Sequence, residues 1–83
     1  MQYLFKPSGL DDLKKLPRQL QVRIIEKLDF YSGTQSPLEF AEPIRDHAFG
    51  EYRYRVGPYR IFFDIKQNKI IVLRIKHRRD AYR

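Results

Sequence analysis

Glu51–Tyr82, EYRYRVGPYRIFFDIKQNKIIVLRIKHRRDAY, is the stretch whose reading decides the fold. Tyr52 to Val56 alternates aromatic or apolar with basic, the period-two signature of a strand with one dry face and one wet face. Tyr52, Tyr54 and Val56 point one way, and Arg53 and Arg55 the other. Gly57-Pro58 supplies a turn, because Gly tolerates positive φ and Pro presets its own φ while offering no N–H. A second strand follows from Tyr59 to Ile65, with Tyr59, Ile61, Phe63 and Ile65 on one face and Arg60, Phe62 and Asp64 on the other. Lys66-Gln67-Asn68-Lys69 is polar and turn-like, and Ile70–His77 reads as a central strand. There the alternation sets Leu73, Ile75 and His77 against Val72, Arg74, Lys76 and Arg78. With the apolar faces on one core, Arg53, Arg55, Arg60, Arg74, Lys76 and Arg78 share the opposite surface.

The charge is concentrated in the same region. The chain of 83 residues carries a formal net charge of +7. Residues 1–50 hold seven basic and seven acidic side chains, whereas residues 51–83 hold ten basic and three acidic. Such a patch attracts polyphosphate through counterion release and long-range steering. The charge falls on strands and not on an amphipathic helix, which favours nucleic acid over a membrane surface. The competing reading is a solvated face that serves only solubility.

Outward from this stretch, Gln2–Lys6 alternates and forms a first strand, at a sheet edge or beside a C-terminal strand. Lys6-Pro7-Ser8-Gly9 breaks it, and Ser8 is placed to cap a helix with Asp11 and Asp12 in its first turn, near the positive end of the dipole. Leu10, Leu13 and Leu16 make its apolar stripe. Pro17 opens a second helix along Leu20, Ile24, Ile25 and Leu28, stopped near Gly33. Residues 34–50 contain two prolines and little periodicity, and read as a loop around the sheet edge. The expected fold is α+β: a small twisted antiparallel sheet, made of an N-terminal strand and a three-stranded C-terminal meander, with two helices on one face. Residues 1–83 fit a single domain, near the lower size limit for a self-sufficient core.

The chain has no cysteine, which removes disulfides and thiolate metal sites. No apolar run approaches the ~18 residues needed to span a bilayer, and the N-terminus lacks the plan of a signal peptide, so a cytoplasmic protein is expected. With two histidines, no metal-ligand spacing, no Gly-rich phosphate loop and no serine-nucleophile motif, no metal or cofactor is expected. Arginines with a histidine, a tyrosine and an occasional carboxylate suit metal-free cleavage of RNA, in which a 2′-hydroxyl attacks the adjacent phosphorus. Arginine stabilises the charge that builds on phosphate oxygens, but it is a poor general base.

The paired elements R-x-R-V-G-x-Y-R-I and H-R-x-x-x-Y, preceded by a strand and two helices, resemble the RelE/ParE superfamily of toxin–antitoxin toxins over essentially the whole chain. The resemblance to the RelE branch implies an mRNA interferase that cuts mRNA in the ribosomal A site and inhibits translation. It also implies a cognate acidic antitoxin, which neutralises the toxin and carries the complex to operator DNA. By position, the family's basic pair falls on Arg53 and Arg55, its transition-state arginines on Arg60 and Arg78, and its terminal aromatic, which stacks on or orients a nucleotide, on Tyr82. Arginine at both places where a lysine could act as base leaves the proton acceptor open. His77 is one candidate. Glu42 is the other, since Glu42-Pro43-Ile44-Arg45 resembles the segment that supplies the base in the YoeB subgroup. The bland alternatives are a structural histidine on the core-side face and a loop carboxylate. Arg74 and Lys76 are read as phosphate grips, and Arg79 as a further RNA contact or, like Arg83, a tail charge. Two other functions fit the pattern: a ParE-like inhibitor of DNA gyrase without nuclease activity, and a basic module that binds RNA without cutting it.

Overall fold

The computed structural model describes residues 1–45 and 49–81. Strand β1 (Gln2–Phe5) leads into α1 (Pro7–Lys14) and α2 (Arg18–Gly33). A 3-10 turn (Pro37–Phe40) and a short strand β2 (Ala41–Pro43) precede the meander of β3 (Tyr52–Val56), β4 (Tyr59–Lys66) and β5 (Lys69–His77), and a single helical turn, α3 (Arg78–Ala81), follows. The five strands form one sheet in the order β1-β5-β4-β3-β2.

The expected α+β architecture is present, with two amendments to the sheet. β1 pairs parallel to β5, so the sheet is mixed. Within the stretch read as loop, Ala41–Pro43 pairs antiparallel with β3, setting Glu42 opposite Arg53. Three residues ending in proline give no measurable period, and Pro is tolerated on an edge strand such as this one.

The hairpins follow their turn chemistry. Gly57, at φ +58, opens the two-residue link between β3 and β4, and Gln67 and Asn68, at φ +51 and +61, make the tight turn into β5. The core lies between the helices and one sheet face: Leu13, Ile24, Leu28 and Tyr31 pack on Tyr54, Val56, Ile61, Phe63, Ile70, Val72 and Ile75. Tyr54 lies at the centre, its ring 4.4 Å from both Tyr31 and Phe63 and its hydroxyl donating to Pro37 O at 2.9 Å. Leu10, read as part of the apolar stripe of α1, is 37% exposed.

The strict alternation read along β5 fails at one point. Phe62 pairs with Arg74 but Phe63 pairs with Val72, leaving Leu73 as the extra residue of a β-bulge. Val72 therefore belongs to the core, fully buried, and Leu73 lines a cleft with Arg74 and Asp64. Arg74 and Lys76 keep their place on the open face.

α1 also differs from its expected capping. Lys6 is the N-cap and Pro7 the first helical residue. Ser8 Oγ instead donates to Leu73 O at 2.7 Å, and Asp12 Oδ2 accepts from Ile75 N at 2.9 Å and Arg74 Nε at 2.8 Å. β1 reaches only as far as Val72, so these two side chains take over the open edge of β5 where the ladder ends. Gly9 makes the approach feasible, because a Cβ there would stand 2.7 Å from Val72 O.

Candidate nucleic-acid interface

The register of the sheet decides which charges meet. Arg55 pairs with Arg60, and Arg60 with Lys76, so three cations lie side by side across β3, β4 and β5. The neighbouring row runs Glu42, Arg53, Phe62, Arg74. Directly opposed side chains in a sheet stand about 4.5–5.5 Å apart at Cβ, and like charges so placed destabilise it.

Each cation has a distinct environment. Arg55 is the open one, with a side chain 63% exposed. Arg60 is buried, at 3% exposure, and its Nη1 donates to Gly57 O and Tyr59 O, both at 3.0 Å. The alternation that set Arg60 on the open face is right, but the side chain curls back onto the β3–β4 turn. Arg78 meets the same turn through its backbone, donating to Pro58 O at 2.7 Å, while its side chain is exposed on α3 with that of Arg79. Lys76 reaches over the Phe49 ring, Nζ 5.7 Å from the centroid, and Phe49 packs on Phe62. Arg74, read as a phosphate grip, is committed to Asp12, with a second contact at 3.3 Å. Burial pushes the Asp12 carboxyl up, but the Arg74 hydrogen bond, the Ile75 N–H and the charges of Arg74 and Lys76 outweigh it and hold the group below its ordinary range.

Glu42 stands at the head of this face. Its Oε2 lies 3.5 Å from Arg53 Nη2 and its Oε1 3.7 Å from Arg55 Nε. Oε1 is shielded from solvent and takes no hydrogen bond among the described residues. The carboxylate is thus held beside the cationic row, with Oε1 turned inward toward Arg55.

His77 is placed otherwise. It pairs with Tyr59 at the end of β4, its ring edge-on to Tyr59 at 5.4 Å, and its Nδ1 accepts from Arg79 N at 3.2 Å. Successive strand residues face opposite ways, so His77 is on the helix side while Lys76 is on the open side. The structure brings Glu42, Arg53, Arg55, Arg60 and Lys76 together and sets His77 apart. Tyr82 lies outside the described residues. Sequence reasoning missed the roles of Asp12, Phe49 and Phe62. Asp12 is 62 residues from its partner Arg74 and gives no local signal, whereas an apolar Phe62 between Arg60 and Asp64 on one strand face was a visible one.

A family model described as "ParE toxin of type II toxin-antitoxin system, parDE" matches residues 3–82. The chain belongs to the RelE/ParE superfamily of type II toxins. Among curated members, Toxin RelG of Mycobacterium tuberculosis is 31% identical over 81 residues, covering 95% of this chain and 92% of RelG. Toxin RelE3 of Methanocaldococcus jannaschii is 30% identical over 86 residues, covering 99% and 96% respectively. Two solved structures share the fold of this RelE/ParE toxin at 27% identity. They are the toxin–antitoxin complex RelBE2 of M. tuberculosis, with a TM-score of 0.76 over 92% of this chain and 95% of that one, and the RelB–RelE complex of Methanococcus jannaschii, with 0.62 over 95% and 94%.

Proposed function

We propose that this RelE/ParE toxin is a metal-independent endoribonuclease, cytoplasmic, that cuts mRNA in the ribosomal A site and so stops translation. The observation that carries the reading is the row Arg55–Arg60–Lys76 with the Glu42 carboxylate at its head. In the reaction the 2′-oxygen bonds to the adjacent phosphorus and the bond to the 5′-oxygen breaks, leaving a 2′,3′-cyclic phosphate and a 5′-hydroxyl. The Glu42 carboxylate takes the 2′-hydroxyl proton and the leaving 5′-oxygen takes one from solvent water, while Arg55 and Lys76 bind the phosphate oxygens and buried Arg60 supplies a fixed positive charge beneath them. Arg78, whose backbone N–H donates to Pro58 O, binds phosphate, and Tyr82 supplies the aromatic ring that stacks on the nucleotide. Arg53, Arg74 and Arg79 hold the flanking RNA backbone, Arg74 through whatever charge Asp12 leaves exposed. His77 is the remaining titratable group near the turn and is the second candidate for proton transfer.

The partner that controls this activity is a cognate acidic antitoxin, which also brings the pair to operator DNA. Both solved neighbours are complexes of a toxin with its antitoxin. Phe30, Leu38 and Phe40 are exposed here, with Phe30 and Phe40 in edge contact at 5.7 Å, an apolar patch suited to an amphipathic helix.

The test is to incubate the purified toxin with programmed ribosomes and with free mRNA, mapping new 5′ ends. A-site cleavage that Glu42→Gln and Arg55→Gln each weaken supports the reading. A folded protein that cuts neither substrate contradicts it, and inhibition of supercoiling in a gyrase assay would then identify the ParE-like activity.

A further inference from the structure

The open face of the sheet holds a second cationic cluster at the end away from Glu42. Tyr3, Phe5, Ile65, Ile70 and Val72 face the core, so the residues alternating with them face the other way. Leu4 and Ile71 pair across β1 and β5, and Lys66 pairs with Lys69 across the β4–β5 turn. With Lys6 and Gln67 they line a groove of about 580 Å³. None of the three lysines makes an ion pair among the described residues. Lysines that guard a sheet edge would sit on the edge strand. Lys6 follows that strand, but Lys66 and Lys69 flank an interior hairpin.

Seven residues along β5 separate Lys69 from Lys76, roughly 20 Å at the rise of a strand. Between them lies a cleft lined by Glu51, Asp64 and Arg74; Asp12 offsets most of the Arg74 charge, so the two further carboxylates disfavour a phosphate chain laid straight across. The two clusters therefore suit two separate backbone approaches of one folded RNA. They also differ in kind: flexible lysines act as point charges for generic backbone contact, whereas the forked arginines suit recognition of one phosphate.

We propose that Lys6, Lys66 and Lys69 form a docking site for the phosphate backbone of a structured RNA, separate from the cationic row at which cleavage is placed. This rests on the reading of the toxin as a protein that works on ribosome-bound mRNA, and it names structured RNA as the ligand of the far end of the same face. The test is binding of a stem-loop RNA between about 50 and 200 mM salt. K6Q/K66Q/K69Q is compared with wild type and with K14Q/K15Q/K27Q, which removes the same charge from exposed helix-side positions. The first triple is expected to flatten the slope of log K against log salt by about 2 to 3, at roughly 0.9 per phosphate contact, and the control to leave it unchanged. An unchanged slope in the first triple, an equal flattening in the control, or a loss of affinity seen with polyglutamate but not with RNA would overturn the proposal. Failure of the nuclease reading has a different signature: no cleavage product, with the slope difference intact.

Discussion

Replacing Tyr54 by Phe keeps the aromatic stack and removes one hydroxyl. The rings of Tyr31 and Phe63, each 4.4 Å away, would still be filled against, while Pro37 O would lose its buried 2.9 Å donor. A buried carbonyl left without a partner costs about 1–3 kcal/mol. Taking about 1.5 kcal/mol, and about 4–8 °C per kcal/mol for a domain of this size, Tm should fall by roughly 6–12 °C at neutral pH. The same hydroxyl makes a second, independent prediction. Burial, reinforced by charge repulsion from the Tyr31 phenolate oxygen, pushes its pKa from 10.0 up to about 12. The folded state therefore holds the neutral phenol more strongly than the unfolded state does. That stability is fully present below pH 10 and is lost as pH rises toward 12, by about 3 kcal/mol at ~1.4 kcal/mol per pKa unit. The gap between wild type and Tyr54→Phe should then close across the same window and reverse, the variant becoming the more stable of the two near pH 12. Guanidinium unfolding followed by circular dichroism at pH 7 and through the alkaline range reads both effects. Equal stability at pH 7 together with parallel alkaline limbs would refute the reasoning.

Asp12→Asn should cost about 1–2 kcal/mol near neutrality, an ionic hydrogen bond discounted for the partly exposed Arg74 side chain. Because the folded Asp12 carboxyl is held below its ordinary range, its contribution is present above the unfolded pKa and lost as pH falls through the folded one; urea melts of wild type and variant should converge in acid. Gly9→Ala ordinarily gains helix propensity, by up to about 1 kcal/mol. Here the added methyl would stand 2.7 Å from Val72 O, so we expect a net loss of about 1–3 kcal/mol in a thermal melt. Tyr3, which donates to Asp29 at 2.6 Å, has its pKa pushed up to about 12 by burial first and by Asp29 second. Tyr3→Phe should accordingly remove part of the alkaline destabilisation, read in the same pH series.

The meander was legible because its signals are local. Alternation in β3 and β4, Gly57 at the hairpin and the polar Gln67-Asn68 turn each depend on a few adjacent residues. The Arg55–Arg60 pair follows from the Gly57-Pro58 turn, but counted straight from the Lys66–Lys69 turn Arg60 would meet Ile75, and only the bulge brings Lys76 opposite it. What alternation does not encode is an insertion: the bulge at Leu73 moved Val72 to the core without any change in composition. Ser8 and Asp12 were read with the rules of an isolated helix end, whereas the tertiary structure uses them to close the edge of β5. β2 was too short to carry a period, yet it is the element that sets Glu42 beside Arg53 and Arg55. The candidate site was thus readable as a list of residues, and its grouping was not. Arg60 shows the difference, being on the expected face but turned inward to the carbonyls of its own hairpin.

The most direct test of the proposed function is cleavage of ribosome-bound mRNA by wild type, Glu42→Gln and Arg55→Gln, with the single-turnover rate measured for each. Loss of a general base or of one charge-stabilising donor typically slows such chemistry by about 10²–10³-fold. Cleavage in the A site by wild type, slowed to that degree in both variants while their melting temperatures stay close to that of wild type, is the predicted result. Cleavage at the wild-type rate by Glu42→Gln and Arg55→Gln would contradict the placement of the chemistry on this row. No cleavage by folded wild-type protein would contradict the nuclease itself.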